Sequence, residues 1–252
     1  QQTVMEIFID GITKNTEVIF QEEKNATDIL EWRGLDFDDD DTLVEIDWSF
    51  EFYLHGTVDL KWLPATCERV YLIKNHLTGS LDLTELPEVL EVLYVYDNAF
   101  SGEIDLGHLP EDLLDLDVSG NELCGTLNLD RLPSSLNLLY LGNNRFTGTL
   151  NLTNLPSDIL YLSVSRNRLH GALDLTQLPG RMMDLFLYEN NFCGETDFSQ
   201  LPASIRKLDI HDTDLEGEIH VDVSQVIKVK GSKVKPILKS PYKTLPVPKS
   251  TE

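Results

Sequence analysis

The dipeptide Leu-Pro occurs at Leu63-Pro64, Leu86-Pro87, Leu109-Pro110, Leu132-Pro133, Leu155-Pro156, Leu178-Pro179 and Leu201-Pro202, each 23 residues after the last. Glycine keeps the same step at 56, 79, 102, 125, 148, 171, 194 and 217, and asparagine keeps it at 75, 98, 121, 144, 167 and 190. Self-similarity with a fixed period of roughly 20 to 50 residues is the mark of stacked supersecondary units, each covering its neighbour's apolar face. The 252 residues are therefore expected to form one elongated array rather than two globular domains.

Around Asn121, Leu113, Leu116, Val118, Leu123 and Gly125 give the pattern LxxLxLxxNxLxG. In an extended segment alternate side chains share a face, so Leu116 and Val118 point inward while Asp115, Asp117 and Ser119 point outward. Stacking then aligns these segments into a parallel sheet with strands ~4.8 Å apart. A polar Asn recurring inside an apolar pattern is explained if its side chain satisfies backbone groups of its own and the adjacent coil. A second alternation follows in Leu127-Asn128-Leu129, with counterparts at Leu81-Asp82-Leu83, Ile104-Asp105-Leu106, Leu150-Asn151-Leu152 and Leu173-Asp174-Leu175. It predicts a second strand on the return side. Leu-Pro should end that strand and start the tight coil to the next repeat, because proline lacks an N–H and fixes φ.

From Trp32 to Val221 these residues resemble the leucine-rich repeat family, in its plant-type class with glycine after the Asn-x-Leu element. LDLTELP, from Leu81 to Pro87, is also similar to arrays from kinetoplastid-like protists. The resemblance implies an α/β fold: a right-handed solenoid with a concave parallel β-sheet, a short second strand on the convex side of each repeat, and few helices. It also implies a protein-binding platform. The expected organisation is an N-terminal cap over 1–50, about seven to eight repeats over 51–222, and a C-terminal cap with an extended tail over 223–252.

A solenoid must cover its terminal core, so atypical ends are expected. NTEVIFQEEKNATDILEWRG places apolar residues at helical spacing, predicting one or two short helices before a strand in LVEIDW. Trp32 to Phe37 looks like the cap of extracellular plant-type arrays, with Phe37 where those carry a cysteine. At the other end VIKVKGSKVK alternates around Gly231-Ser232, which predicts a capping hairpin or one strand and a tail. From Lys235 onward four prolines predict an extended segment. Cys124 and Cys193 hold the same register three repeats apart, at least ~14 Å, whereas a disulfide spans at most ~7 Å between Cα atoms. Cys67 falls in the register of Leu90 and Leu113 and reads as a small buried residue. Unpaired cysteines favour a reducing, intracellular compartment. The sequons Asn25-Ala26-Thr27 and Asn151-Leu152-Thr153 point the other way. No apolar run approaches the ~18 residues that cross a bilayer.

The net charge of −23 is uneven: residues 226–252 hold seven lysines and one glutamate, +6, which leaves −29 for residues 1–225. So acidic a body is unsuited to nucleic acid, which needs clustered Lys and Arg. The basic tail suits RNA, an acidic protein or the body itself, with Lys228, Lys230, Lys233, Lys235, Lys239 and Lys243 as its contacts. Of the eight tyrosines, six fall at outward positions of the first strands: Tyr71, Tyr94, Tyr96, Tyr140, Tyr161 and Tyr188, with Phe186 among them. Asp117 and Asp209 share that face. Tyrosine anchors among carboxylates point to a protein partner with basic and apolar side chains. The rival reading is a structural subunit of a large assembly, anchored by the basic tail.

Other constellations carry less. Asp36, Asp38, Asp40 and Asp47 fit the spacing of a calcium loop, but Asp41 replaces its glycine and no helix pair flanks it, so a solvated turn is favoured. The histidines form no triad with Ser or Cys, and His211 beside Asp209 and Asp212 reads as a surface charge cluster. No catalysis, metal or cofactor is expected.

Overall fold

The computed structural model describes residues 1–20 and 28–238. Each 23-residue unit makes one turn of a coil and lays a three-residue strand on one long face: Arg69–Tyr71, Val92–Tyr94, Asp115–Asp117, Leu138–Tyr140, Tyr161–Ser163, Asp184–Phe186 and Lys207–Asp209. With Leu43–Asp47 before them and Val226–Lys228 after, these strands pair in parallel, in sequence order. Leu35–Phe37 completes a ten-stranded sheet by pairing antiparallel to Leu43–Asp47. From Arg69 to Asp209 each strand residue thus lies beside its counterpart 23 positions on, while the step is 24 from Glu45 to Arg69 and 19 from Lys207 to Val226.

The register follows from the side chains. The central residue of each strand, from Val70 through Leu93, Leu116, Leu139, Leu162 and Leu185 to Leu208, is completely buried. A slip of one residue would turn this whole row to water, at roughly 2 kcal/mol per side chain. Behind it lies another buried row, Cys67, Leu90, Leu113, Leu136, Ile159, Met182 and Ile205. Together they belong to one core running from Met5 to Val234.

The asparagine row holds successive coils together. Asn121 Nδ2 donates to the carbonyls of Val95, Val118 and Ser119, and its Oδ1 accepts the Phe100 amide. Asn75, Asn98, Asn144, Asn167 and Asn190 repeat the arrangement on Leu54, Leu77, Leu123, Phe146 and Leu169. At the equivalent place Thr213 keeps only a bond to the Ile210 carbonyl. The residue just before each of these, from Lys74 to Asp212, is left-handed with φ between 51° and 65°. That turn points the asparagine inward.

The second strand of each coil lies elsewhere than the sequence alternation predicts. Leu127-Asn128-Leu129 and its four counterparts are not strands; the pairing segments come earlier, as His76–Gly79, Ala99–Glu103, Glu122–Cys124, Thr147–Gly148, Arg168–Gly171, Asn191–Glu195 and Asp214–Val221. With Ile12–Lys14 and His55–Gly56 before them and Lys233–Leu238 after, they form two five-stranded sheets, joined among the described residues by a bridge between Thr126 and Thr147. The alternating leucines are buried as expected, but the residue between them folds onto its own backbone: Asp82, Asp105, Asn128, Asn151 and Asp174 each accept the amide two residues on. Such side-chain turns compete with sheet pairing. Leu-Pro does start the tight coil, since each proline carbonyl from Pro64 to Pro202 accepts the amide three residues later at 2.9 to 3.3 Å.

The ends differ from expectation too. A helix over Gln2–Ile9, unforeseen in the sequence, buries Met5, Phe8 and Ile9, and Phe8 packs on Trp48 at 5.9 Å between ring centroids. The segment with helical spacing yields only Thr16–Ile19 and a 3₁₀ turn at Ile29–Glu31; residues 21–27 lie outside the described residues. At the C-terminal end no hairpin forms. Val226–Lys228 joins the ten-stranded sheet while Lys233–Leu238 pairs in parallel with Asp214–Val221, so VIKVKGSKVK is a further, shortened turn of the coil. Val229 and Val234 pack onto the core, and this burial outweighs the missing repeat signature. Strand structure therefore continues past Lys235, where an extended tail was expected.

Candidate functional site

The ten-stranded face carries the outward columns. One reads Asp47, Tyr71, Tyr94, Asp117, Tyr140, Ser163, Phe186, Asp209 and Lys228 from strand to strand. Beside it runs Glu45, Arg69, Val92, Asp115, Leu138, Tyr161, Asp184, Lys207 and Val226. The face therefore brings together all nine residues expected to touch a partner: Tyr71, Tyr94, Asp117, Tyr140, Phe186 and Asp209 in one column, Tyr161 in the second, and Tyr96 and Tyr188 two residues after Tyr94 and Phe186. The aromatic side chains are half-buried rather than projecting, and at one end of the face the rings lean on one another. Tyr71 and Tyr94 meet edge to face at 5.6 Å, and Tyr94 and Tyr96 lie 6.4 Å apart.

Burial, joined by the carboxylates nearby, raises the phenols of Tyr71, Tyr94, Tyr96 and Tyr140 above their ordinary range. They stay protonated donors, and Tyr94 Oη donates to Asp115 Oδ2 at 3.2 Å. Asp209 is 3% exposed; burial pushes its carboxyl up, but hydrogen bonds from His211 and Lys228 outweigh it and hold it low. Lys228 Nζ lies 2.9 Å from Asp209 Oδ2, and His211 Nδ1 lies 2.5 Å from Oδ1.

Between these groups opens a hollow of about 550 Å³, walled by Tyr140, Phe186, Tyr188 and His211 and floored by Gly142, Ser163 and Ser165. Tyr188 and His211 stack at 4.5 Å with 14° between rings. Arg166 lies over the Tyr188 ring at 5.7 Å and pairs with Glu189. His211 does join Asp209 and Asp212 in the charge cluster read from the sequence, but its place with Arg166 in the lining of a hollow, and the small floor, were not foreseen. The signal is in the letters: Ser163 stands between Tyr140 and Phe186, and Ser119, Gly142 and Ser165 follow one another between Tyr96 and Tyr188 in their column, so bulk is missing there.

The lysines assigned to a basic tail lie differently. Lys228 and Lys233 are held by Asp209 and Glu216 within the last coil, and Lys230 supplies the carbonyl that accepts the Asp212 amide. Lys235 is in the strand Lys233–Leu238, and Lys239 and Lys243 lie outside the described residues. Asp38, of the calcium-like spacing, accepts the amides of Asp40 and Thr42 and so closes a hairpin turn. Among the described residues no three His, Cys, Asp or Glu side chains are grouped to hold a metal, and no helix is long and apolar enough to cross a membrane.

No family model and no curated protein matches the chain. Solved structures do. The ectodomain of the Arabidopsis thaliana receptor kinase GASSHO1/SCHENGEN3, solved with CASPARIAN STRIP INTEGRITY FACTOR 2, superposes with a TM-score of 0.67 at 20% identity, covering 93% of this chain and 33% of that one. A plant ice-binding protein gives 0.67 at 19% identity, over 92% and 86% of the two chains. The ectodomain of the Arabidopsis receptor kinase HAESA, solved with an IDA peptide hormone ligand, gives 0.54 at 27% identity, over 71% and 31%. The fold is a leucine-rich repeat solenoid. This leucine-rich repeat chain spans about a third of the length of either receptor ectodomain. These neighbours come from plants, and they lend no support to the likeness to protist arrays.

Proposed function

We propose that this leucine-rich repeat solenoid is a non-catalytic protein-interaction module that holds its partner on the ten-stranded face. The observation that carries the reading is the hollow of about 550 Å³ bounded by Tyr140, Phe186 and Tyr188 on a continuous, rigid sheet. Aromatic walls around a water-accessible recess supply the desolvated anchor points on which interfaces concentrate their affinity. The two receptor ectodomains above were solved with CASPARIAN STRIP INTEGRITY FACTOR 2 and with an IDA peptide hormone ligand, which supports the same use of this fold. The charges lining the hollow itself are mixed, Arg166, Asp209, His211 and Lys228, but Asp115 and Asp117 farther along the face suit a partner with basic as well as apolar side chains. Anchoring by a basic tail draws less support, since Lys228 and Lys233 already have partners within the solenoid. Three unpaired cysteines, Cys67 buried with its thiol pushed up to about 12 by that burial, fit a reducing compartment.

The test compares proteins captured from the native source by the wild type, by Phe186→Ala with Tyr188→Ala, and by Asp82→Asn with Asp105→Asn on the other side of the coil. A partner retained by the last and lost by the aromatic variant is the expected result. Equal retention by all three removes the proposal.

A further inference from the structure

Among the described residues three acidic side chains are buried, and all three stand on the ten-stranded face: Asp117, Asp184 and Asp209, at 9%, 7% and 3% exposure. Two of them have a cation. Lys207 Nζ lies 3.1 Å from Asp184, and Lys228 Nζ lies 2.9 Å from Asp209 with His211 on its other oxygen. Asp117 has none. Its Oδ1 accepts from the backbone and hydroxyl of Ser119, and no lysine, arginine or histidine of the described residues comes within 4.0 Å of the carboxylate. A buried charge without a counter-charge is costly to keep, and ordinary packing gives no reason to keep it.

The neighbours of Asp117 give it a shape. Across the sheet it stands between Tyr94 on one side and Tyr140 on the other. Two residues back on the same strand is Asp115, whose carboxylate has the Tyr94 hydroxyl as its one described hydrogen-bond partner. Neither carboxylate pairs with a cation, while burial raises both above the usual carboxylate range. Two aromatic rings flanking a desolvated carboxylate form the arrangement that attracts an ammonium or guanidinium group, through ring quadrupole and charge together.

We infer that the Tyr94–Asp117–Tyr140 row, with Asp115, receives one cationic side chain, a lysine or arginine, of the protein partner. The proposal rests on the interaction reading above and deepens it. Asp117 is the counter-charge that the solenoid leaves open, and the hollow beside it, which begins at Ser119 and Tyr140, takes the neighbouring side chain of the same segment. In the complex the partner's cation would do for Asp117 what Lys207 and Lys228 do for Asp184 and Asp209.

The probe is a pair of blocked single residues, N-acetyl-lysine methylamide and N-acetyl-arginine methylamide, with the neutral Nε-acetylated lysine derivative as control. Ring resonances of Tyr94 and Tyr140 and the Asp117 carboxyl carbon are followed by NMR during titration of the intact chain. Saturable shifts at these three positions are expected with either cation and not with the neutral control. The Asp117 pKa should fall on binding, and Asp117→Asn should weaken it at least tenfold while Asp82→Asn leaves it unchanged. Shifts spread evenly over the acidic surface, or an affinity indifferent to Asp117→Asn, overturn the inference. If the partner lost with the Phe186→Ala, Tyr188→Ala variant is still captured at full strength by Asp117→Asn, the interaction face stands and the cation site alone is refuted.

Discussion

The Oδ1 atom of Asn121 accepts the backbone amide of Phe100, one coil away, at 3.1 Å, and no other acceptor in that buried position serves the amide. The carbonyls that Asn121 donates to are better protected, since Val95 is also reached by Asn98 and Val118 by Asn144. Ser119 in turn is reached by the Asp97 amide, so Asn121→Ala orphans one buried donor outright and thins three shared bonds. A loss of about 2–3 kcal/mol is expected, read from denaturant unfolding of wild type and variant. A loss below ~0.5 kcal/mol would show that the ladder is not what joins the coils.

The glycine column does not have one cause throughout. At Gly56, φ is 114° and an added Cβ would meet the backbone of Gly11 and Thr13, so the N-terminal strand Ile12–Lys14 has to move. At Gly102, φ is 92° and nothing lies within 4 Å of the added atom. Gly102→Ala should cost about 1–2 kcal/mol of backbone strain alone. Gly56→Ala should cost more and should raise amide exchange in Ile12–Lys14, measurable by hydrogen exchange; equal costs would refute the clash.

Asp117 makes an opposite prediction about stability. Its folded pKa lies above the unfolded value because of burial, so the native state favours the protonated form. Its contribution is fully present below the unfolded pKa near 4 and is lost as pH rises through the folded pKa. Asp117→Asn keeps an acceptor for Ser119 and removes the titration. The variant should be as stable as wild type at pH 3 and more stable at pH 7, by thermal unfolding at both values. A variant less stable at pH 7 would mean that Asp117 has a structural cation.

His55 and His76 face each other in adjacent strands with ring centroids 4.5 Å apart. Desolvation, then His76 and Lys14, lowers the His55 pKa below its usual value. For a histidine with a depressed folded pKa, the unfolded chain binds its proton first, so stability falls as pH drops below about 6.5. His76→Gln should lessen that fall between pH 7.5 and 5.5, seen as a smaller drop in melting temperature. An identical drop would exclude the pair as its source.

Much of the fold can be read from the letters because a fixed step of 23 turns equal registers into adjacent positions. Leu116, Val118 and Asn121 need only their spacing to be assigned inward. The second strand could not be read the same way: Leu127 and Leu129 alternate and are buried, yet Asn128 bonds its own backbone, and period alone does not distinguish the two outcomes. Columns of Tyr94, Asp117 and Tyr140 were legible as a face. The hollow was not, because it arises from what Gly142 and Ser163 lack beside Tyr140 and Phe186. The pairing of Lys228 with Asp209 was hidden by a lost repeat signature, which made an ordered coil look like tail.

Lys233–Leu238 has a partner strand on one side among the described residues, and its outer edge carries Leu238 at 76% exposure. Such an edge invites any extended chain to continue the ladder. Lys233 and Lys235 set positive charge there, and Pro236 withholds an N–H in the middle of the run. A neighbouring molecule that tried to extend the column would find a bond missing at Pro236, and a second copy presenting this same edge would set lysine against lysine, which discourages two such ends from joining.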